Sequence, residues 1–164
     1  MVDLPAVQNL LSTWWFAYDQ GAFDEWPGSF TPDAHFSCRS DSGQTDFEEF
    51  IRADVHGAEV ISWQEQHRRN SPYPLRHNCT NVHLTDIRAD EADFRSYLFV
   101  TQIVGGGVSN LASGTCEGTV RVQEGVLRIA DLQVVLDFTD SVVFDDVTRH
   151  APACAGCPIS RHRT

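Results

Sequence analysis

Two residues carry a type and a position that ask for a chemical explanation. His77 stands in the run PLRHNCTNVHLTD, residues 74–86, at the entrance to an apolar stretch. A neutral imidazole is a competent base near pH 7. Asp19 follows Tyr18 at the end of an aromatic-rich segment, and a carboxylate at a helix C-terminus opposes the helix dipole. Each also has an ordinary reading, His77 as a capped surface residue and Asp19 as a solvated turn acid. The remaining histidines carry less. His35 alternates with Phe36 and Cys38 and falls outside if those two face inward; His83, six residues past His77, shares its face on a regular strand but suits the surface. His56 and His67 lie in a stretch with little pattern. No histidine pair has the H-x-x-x-H spacing, and no two-histidine-plus-carboxylate motif is visible, so neither metal nor cofactor is expected. Cys154 and Cys157, in CAGC, have the spacing of a thiol pair or half a zinc site; no second pair completes it, though His150 and His162 could in principle.

The 164 residues suffice for one domain with a core. The formal net charge is -11 and all twelve basic residues are arginine. That surface repels phosphate backbones and anionic bilayers, so neither nucleic acid nor membrane is an expected partner. The absence of lysine excludes Schiff-base chemistry and a lysine phosphate loop. The opening MVDLPAVQNLL lacks a basic, then apolar, leader pattern. With scattered Cys38, Cys79 and Cys116 read as free thiols, the expected compartment is the cytoplasm.

The elements that must position Asp19 and His77 follow from periodicity. Val7, Leu10, Leu11, Trp14, Trp15 and Tyr18 recur on one helical face over residues 5–19, with Gly21 as the stop. A short helix is expected over 22–30 and a strand over TPDAHFSCRS. Thr45 with Glu48 reads as a capping box opening a helix from Asp46 to about His56, which residues 57–69 extend. Strands are expected at 77–87, 92–104, 113–123 and 126–138, with turns at GGG and QEG. Helices followed by a strand meander define an α+β class. The aperiodic segment 148–164 reads as a flexible tail behind a domain of residues 1–147. Val134, Leu136 and Phe138 share a strand face that needs cover, so a homo-oligomer, dimer or trimer, is expected.

Several stretches resemble the SnoaL-like proteins of the nuclear transport factor 2-like superfamily. They are LLSTWWFAYDQGAFDEWPGSFTPDAHF, LRHNCTNVHLT, DFRSYLFV and GTVRVQEGVLRIADLQVVLDF, spread over residues 5–147. The resemblance implies a cone-shaped α+β barrel, in which N-terminal helices pack on a strongly curved, mostly antiparallel sheet around a deep pocket. It implies that Asp19 pairs with His77, as the corresponding residues do in dehydratases of the group. The carboxylate would fix the imidazole tautomer and stabilise the imidazolium. It implies a lyase or isomerase that needs no cofactor and acts on a small hydrophobic, ring-containing molecule of polyketide or steroid type, with a polyketide cyclase or epoxide-opening enzyme of secondary metabolism as the alternative for the same pocket. A non-catalytic subunit is the alternative from another class. Trp14, Trp15, Tyr18, Phe36 and Phe50 would line the cavity. Tyr97 matches a polar pocket position of related dehydratases. Arg121, the nearest match to a leaving-group arginine, is one residue out of register, which disfavours dechlorination. Residues 57–76 are longer than the family's and would border the pocket entrance.

Overall fold

Asp3 starts the first element. Its carboxylate accepts the Ala6 amide at 2.9 Å, and Pro5 sits in the first turn of helix α1, Leu4–Gln20. Gly21 ends the helix in the left-handed conformation, φ 66°, with its N–H on the carbonyls of Ala17 and Tyr18. Val7, Leu11, Trp14, Trp15 and Tyr18 are buried along one face, and Phe16 on the other is exposed. The computed structural model describes residues 2–143. The CAGC run and the expected tail over 148–164 lie outside the described residues.

Strands β1 (Phe30–Ser40), β2 (Ala53–His56), β3 (Leu75–Ile87), β4 (Glu91–Val104), β5 (Gly107–Gln123) and β6 (Val126–Leu136) form one sheet in the order β2-β1-β6-β5-β4-β3. All neighbours are antiparallel except β1 and β6. The fold is α+β, and the mixed sheet does not close on itself; β2 and β3 are its edges. Register shifts place extra residues in β1, β3, β5 and β6 and mark bulges, which bend strands and change which residues face inward. At Gly114 and Gly118 a Cβ would collide with the carbonyl oxygens of Val135 and Asp131 on β6, so only glycine permits this approach.

Three expectations from sequence give way. The helix over 22–30 shrinks to one 3₁₀ turn, Trp26–Ser29, because Pro27 fits only a first turn and Trp26 is drawn into the core. The helix from Asp46 to His56 stops after a single turn, α2, Glu48–Ile51. The Glu48 carboxylate turns inward to the Ser40 hydroxyl and amide, and residues 53–56 pair with β1 as an edge strand. Gly57 then breaks the chain at φ 56°, donating to Ala34 O at 2.7 Å, and helix α3, Ala58–Asn70, starts anew. Finally, Val134 and Leu136 need no second copy to cover them. They are buried beneath the helices, and only Phe138 is exposed. Apolar side chains that this sheet leaves exposed include Tyr97, Phe99, Ile103 and Val104 on β4 and Val108 and Leu111 on β5.

Candidate active site

Helix α1 crosses the start of β3, and this crossing brings Asp19 to His77. Asp19 Oδ2 accepts the His77 backbone N–H at 2.8 Å, and Oδ1 lies 2.6 Å from His77 Nδ1. Both side chains are buried, 5% and 10% exposed. A carboxylate held by two donors places the imidazole proton on Nδ1 and leaves Nε2 as the ring's acceptor. The ring is clamped as well as tethered. Trp15 stacks on it at 4.3 Å, nearly parallel at 9°, and Tyr18 meets it edge-on at 5.1 Å.

The helix end that carries Asp19 is held from α3. Arg68, 6% exposed, donates Nε to Tyr18 O at 3.0 Å, Nη2 to Asp19 O at 2.8 Å and Nη1 to Pro72 O at 3.0 Å. The guanidinium therefore satisfies carbonyls that a helix C-terminus leaves open and fixes the backbone of the acid.

His77 lines a partly open cavity of about 70 Å³. Trp14, Trp15, Tyr18 and Phe36 line it too, together with Leu98, Val100, Val134 and Leu136 from the sheet. This is well below the roughly 300–1,000 Å³ of ordinary ligand pockets, so the cavity as it stands admits only a compact group. Cys38 also lines it, but burial pushes its thiol up to about 12, which keeps it protonated and poorly nucleophilic at neutral pH.

Two expected lining residues are elsewhere. Tyr97 pairs with Thr80 and Thr115 on the outer face and is 60% exposed; its neighbours Ser96 and Leu98 take the inward positions. Phe50 is 44% exposed and only flanks the wall, its ring 4.6 Å from that of His67. It sits on the single turn of α2, whose inward position is taken by Ile51, which lines the cavity. Arg121 is ion-paired outside with Glu91 and Asp33, and Arg76 is exposed.

Helix α3 supplies what sequence reasoning passed over. Trp63, Gln64 and His67 line the cavity. Tyr18 Oη and His67 Nδ1 are 2.7 Å apart. Burial pushes the Tyr18 phenol above its usual range, so it remains a hydroxyl. His67 Nε2 and both amide atoms of Gln64 are buried without a protein partner among the described residues, a costly state unless a ligand or water meets them. The signal was the polar spacing itself: Gln64, His67 and Arg68 fall on one helical face with Val60 and Trp63, in a segment whose other faces are also polar.

His67 carries a pH dependence. Burial, with neighbouring His77 and the Arg68 guanidinium adding to it, pushes its imidazole down to about 4. An unfolded histidine titrates near 6.5, so between these values the unfolded chain binds more protons and stability rises with pH. The contribution is fully present above about 6.5 and is lost as pH falls towards 4, on the order of 3 kcal/mol in all. His67→Gln should flatten that part of the stability–pH curve in urea unfolding. Parallel curves for parent and variant would show that His67 does not titrate this way.

A helix-covered, open mixed sheet is an architecture of the nuclear transport factor 2-like superfamily. Residues 2–133 match the model of the SnoaL-like domain, and the chain belongs to that family. Among solved structures, an NTF2-like protein with a cystatin-like fold from Novosphingobium aromaticivorans is 16% identical, with 84% of this chain and 83% of that one covered at a TM-score of 0.66. A protein of the same organism provisionally named scytalone dehydratase is 14% identical over 85% and 87% of the chains, TM-score 0.65. The β subunit of benzoate 1,2-dioxygenase from Burkholderia mallei is 19% identical over 85% and 96%, TM-score 0.64. At these identities the likeness is one of fold. No curated protein matched the chain. Among the described residues no helix is long and apolar enough to cross a membrane.

Proposed function

We propose that the protein is a cofactor-independent lyase or isomerase that removes a proton beside a carbonyl of a compact, hydrophobic, ring-containing molecule. The observation that carries this reading is the buried Asp19–His77 pair, whose free Nε2 belongs to a cavity-lining ring. His77 Nε2 takes the proton, Asp19 stabilises the imidazolium, and the electron pair moves towards the carbonyl oxygen. With the Tyr18 hydroxyl donating to Nδ1, His67 presents an Nε2–H to that oxygen, as a neutral imidazole can; Gln64 offers an amide N–H beside it. Where the neighbouring carbon bears a hydroxyl, its C–O bond breaks as the C=C bond forms. The proton on His77 leaves with that oxygen as water. No arginine is among the described cavity-lining residues, which disfavours loss of chloride.

The 70 Å³ volume and the likeness to a dioxygenase β subunit favour a second reading, a non-catalytic subunit, also in an oligomer. Incubation with compact cyclic ketones and β-hydroxyketones in D₂O separates the two. The enzyme reading expects deuterium at the α-carbon, or a product lighter by one water, and neither with His77→Gln. A panel of compounds that bind the protein but neither exchange nor dehydrate would support the subunit reading.

A further inference from the structure

The edge of the sheet away from the cavity holds a second cluster of chemistry-bearing side chains. Antiparallel pairing of β1 with β2 sets His35 directly opposite His56, and Asp54 lies two residues before His56 on the same outer face. The two imidazoles stack at 4.3 Å and 17°. His35 Nε2 lies 2.9 Å from Asp54 Oδ1, and His56 Nε2 lies 4.0 Å from the same oxygen. These three donor atoms all fall within 4.8 Å of one another. Behind them, His35 Nδ1 lies 2.7 Å from Asp131 Oδ1 on β6.

We propose that His35, Asp54 and His56 bind a divalent transition-metal ion, with Asp131 orienting His35 from behind. The donor set is two imidazoles and one carboxylate, which suits zinc, copper, nickel or iron rather than calcium or magnesium. For a tetrahedral ion with ligands at about 2.0–2.1 Å, donor atoms stand about 3.3 Å apart. The observed 2.9 Å and 4.0 Å bracket that spacing; the stacked rings must also splay for both lone pairs to meet one ion, and the exposed Asp54 and His56 side chains have room to turn. A carboxylate on the far nitrogen of a metal-binding histidine fixes the tautomer that presents the other nitrogen's lone pair to the ion; Asp131 occupies that place. The side chains of Asp54 and His56 are 80% and 70% exposed, so the fourth position stays open to water.

The test is titration of the full-length, chelator-treated protein with Co²⁺ at neutral pH, read by visible absorption, then displacement by Zn²⁺. The expected result is one ion per chain with a spectrum of nitrogen and oxygen ligands and no sulfur-to-cobalt charge-transfer band. His56→Ala and Asp54→Asn, both at exposed positions, should abolish stoichiometric binding while leaving the far-UV circular dichroism unchanged. Asp131→Asn should weaken it roughly 10–100-fold. Cys154→Ser/Cys157→Ser should bind as the parent does. Absence of stoichiometric cobalt or zinc would overturn the proposal. So would binding that survives His56→Ala and Asp54→Asn, or that disappears with the two cysteines.

Discussion

Turnover of any substrate by His77→Gln should fall by roughly 10²–10⁴-fold, the contribution of a positioned proton transfer. Glutamine is near histidine in volume and can donate its amide to Asp19, so the variant should fold, keep its unfolding midpoint within a few degrees and still bind ligand. The base alone is removed. Asp19→Asn is the sharper case. From sequence, with only orientation and charge to consider, it should lose less than His77→Gln. The geometry changes that expectation. Both Asp19 oxygens accept, one from the His77 backbone N–H at 2.8 Å and one at the ring Nδ1 at 2.6 Å. An amide accepts at only one of these places. If its oxygen keeps the backbone N–H, its NH₂ meets Nδ1, and the neutral ring must carry its proton on Nε2. The base then points away from its task. The loss should approach that of His77→Gln, as in other acid–histidine pairs where the amide selects the wrong tautomer. The measurement is kcat/KM for both variants beside the parent, with circular dichroism as the control for folding. A folded His77→Gln that turns substrate over at the parental rate makes His77 a structural residue.

Arg68→Met should cost about 3 kcal/mol of stability, the range of charge-assisted bonds and of breaking a buried charged network. Methionine fills much of the space but removes the donors that Arg68 gives to the carbonyls of Tyr18, Asp19 and Pro72, of which Tyr18 O keeps the Gly21 N–H. For a chain of this length that corresponds to a fall of about 6–12 °C in Tm. Arg68→Lys should recover only part, since one ammonium cannot reach three carbonyls that a planar fork spans. Activity should fall more than stability alone explains, because the anchored backbone is that of Asp19. A melting curve for Arg68→Met that overlays the parent's would refute the role assigned to the guanidinium.

Local pattern was enough to place α1, its Gly21 stop and the four long strands, because helical and two-residue periods are written in neighbouring side chains. The expected strands over 77–87, 92–104, 113–123 and 126–138 differ from β3 to β6 mainly at their ends. Asp19 and His77 were visible as residues out of place, and the family resemblance paired them; the crossing of α1 over β3 sets their distance. What local pattern does not carry is the face a residue takes once a strand is bulged. Across the register shift between Thr80 and His83, where Asn81 adopts φ 56°, the side-chain alternation slips, and His83 points outward beside Arg95 although an even spacing separates it from the inward His77. The second histidine of the cavity and the edge cluster were hidden for a related reason. His67 reaches the cavity because Gly57 ends an edge strand and redirects α3. His35 and His56 are twenty-one residues apart, and only the pairing of β1 with β2 sets them side by side over Asp54. Such juxtapositions depend on which strands pair and in what register, a long-range choice made by burial of the whole sheet and absent from any single segment.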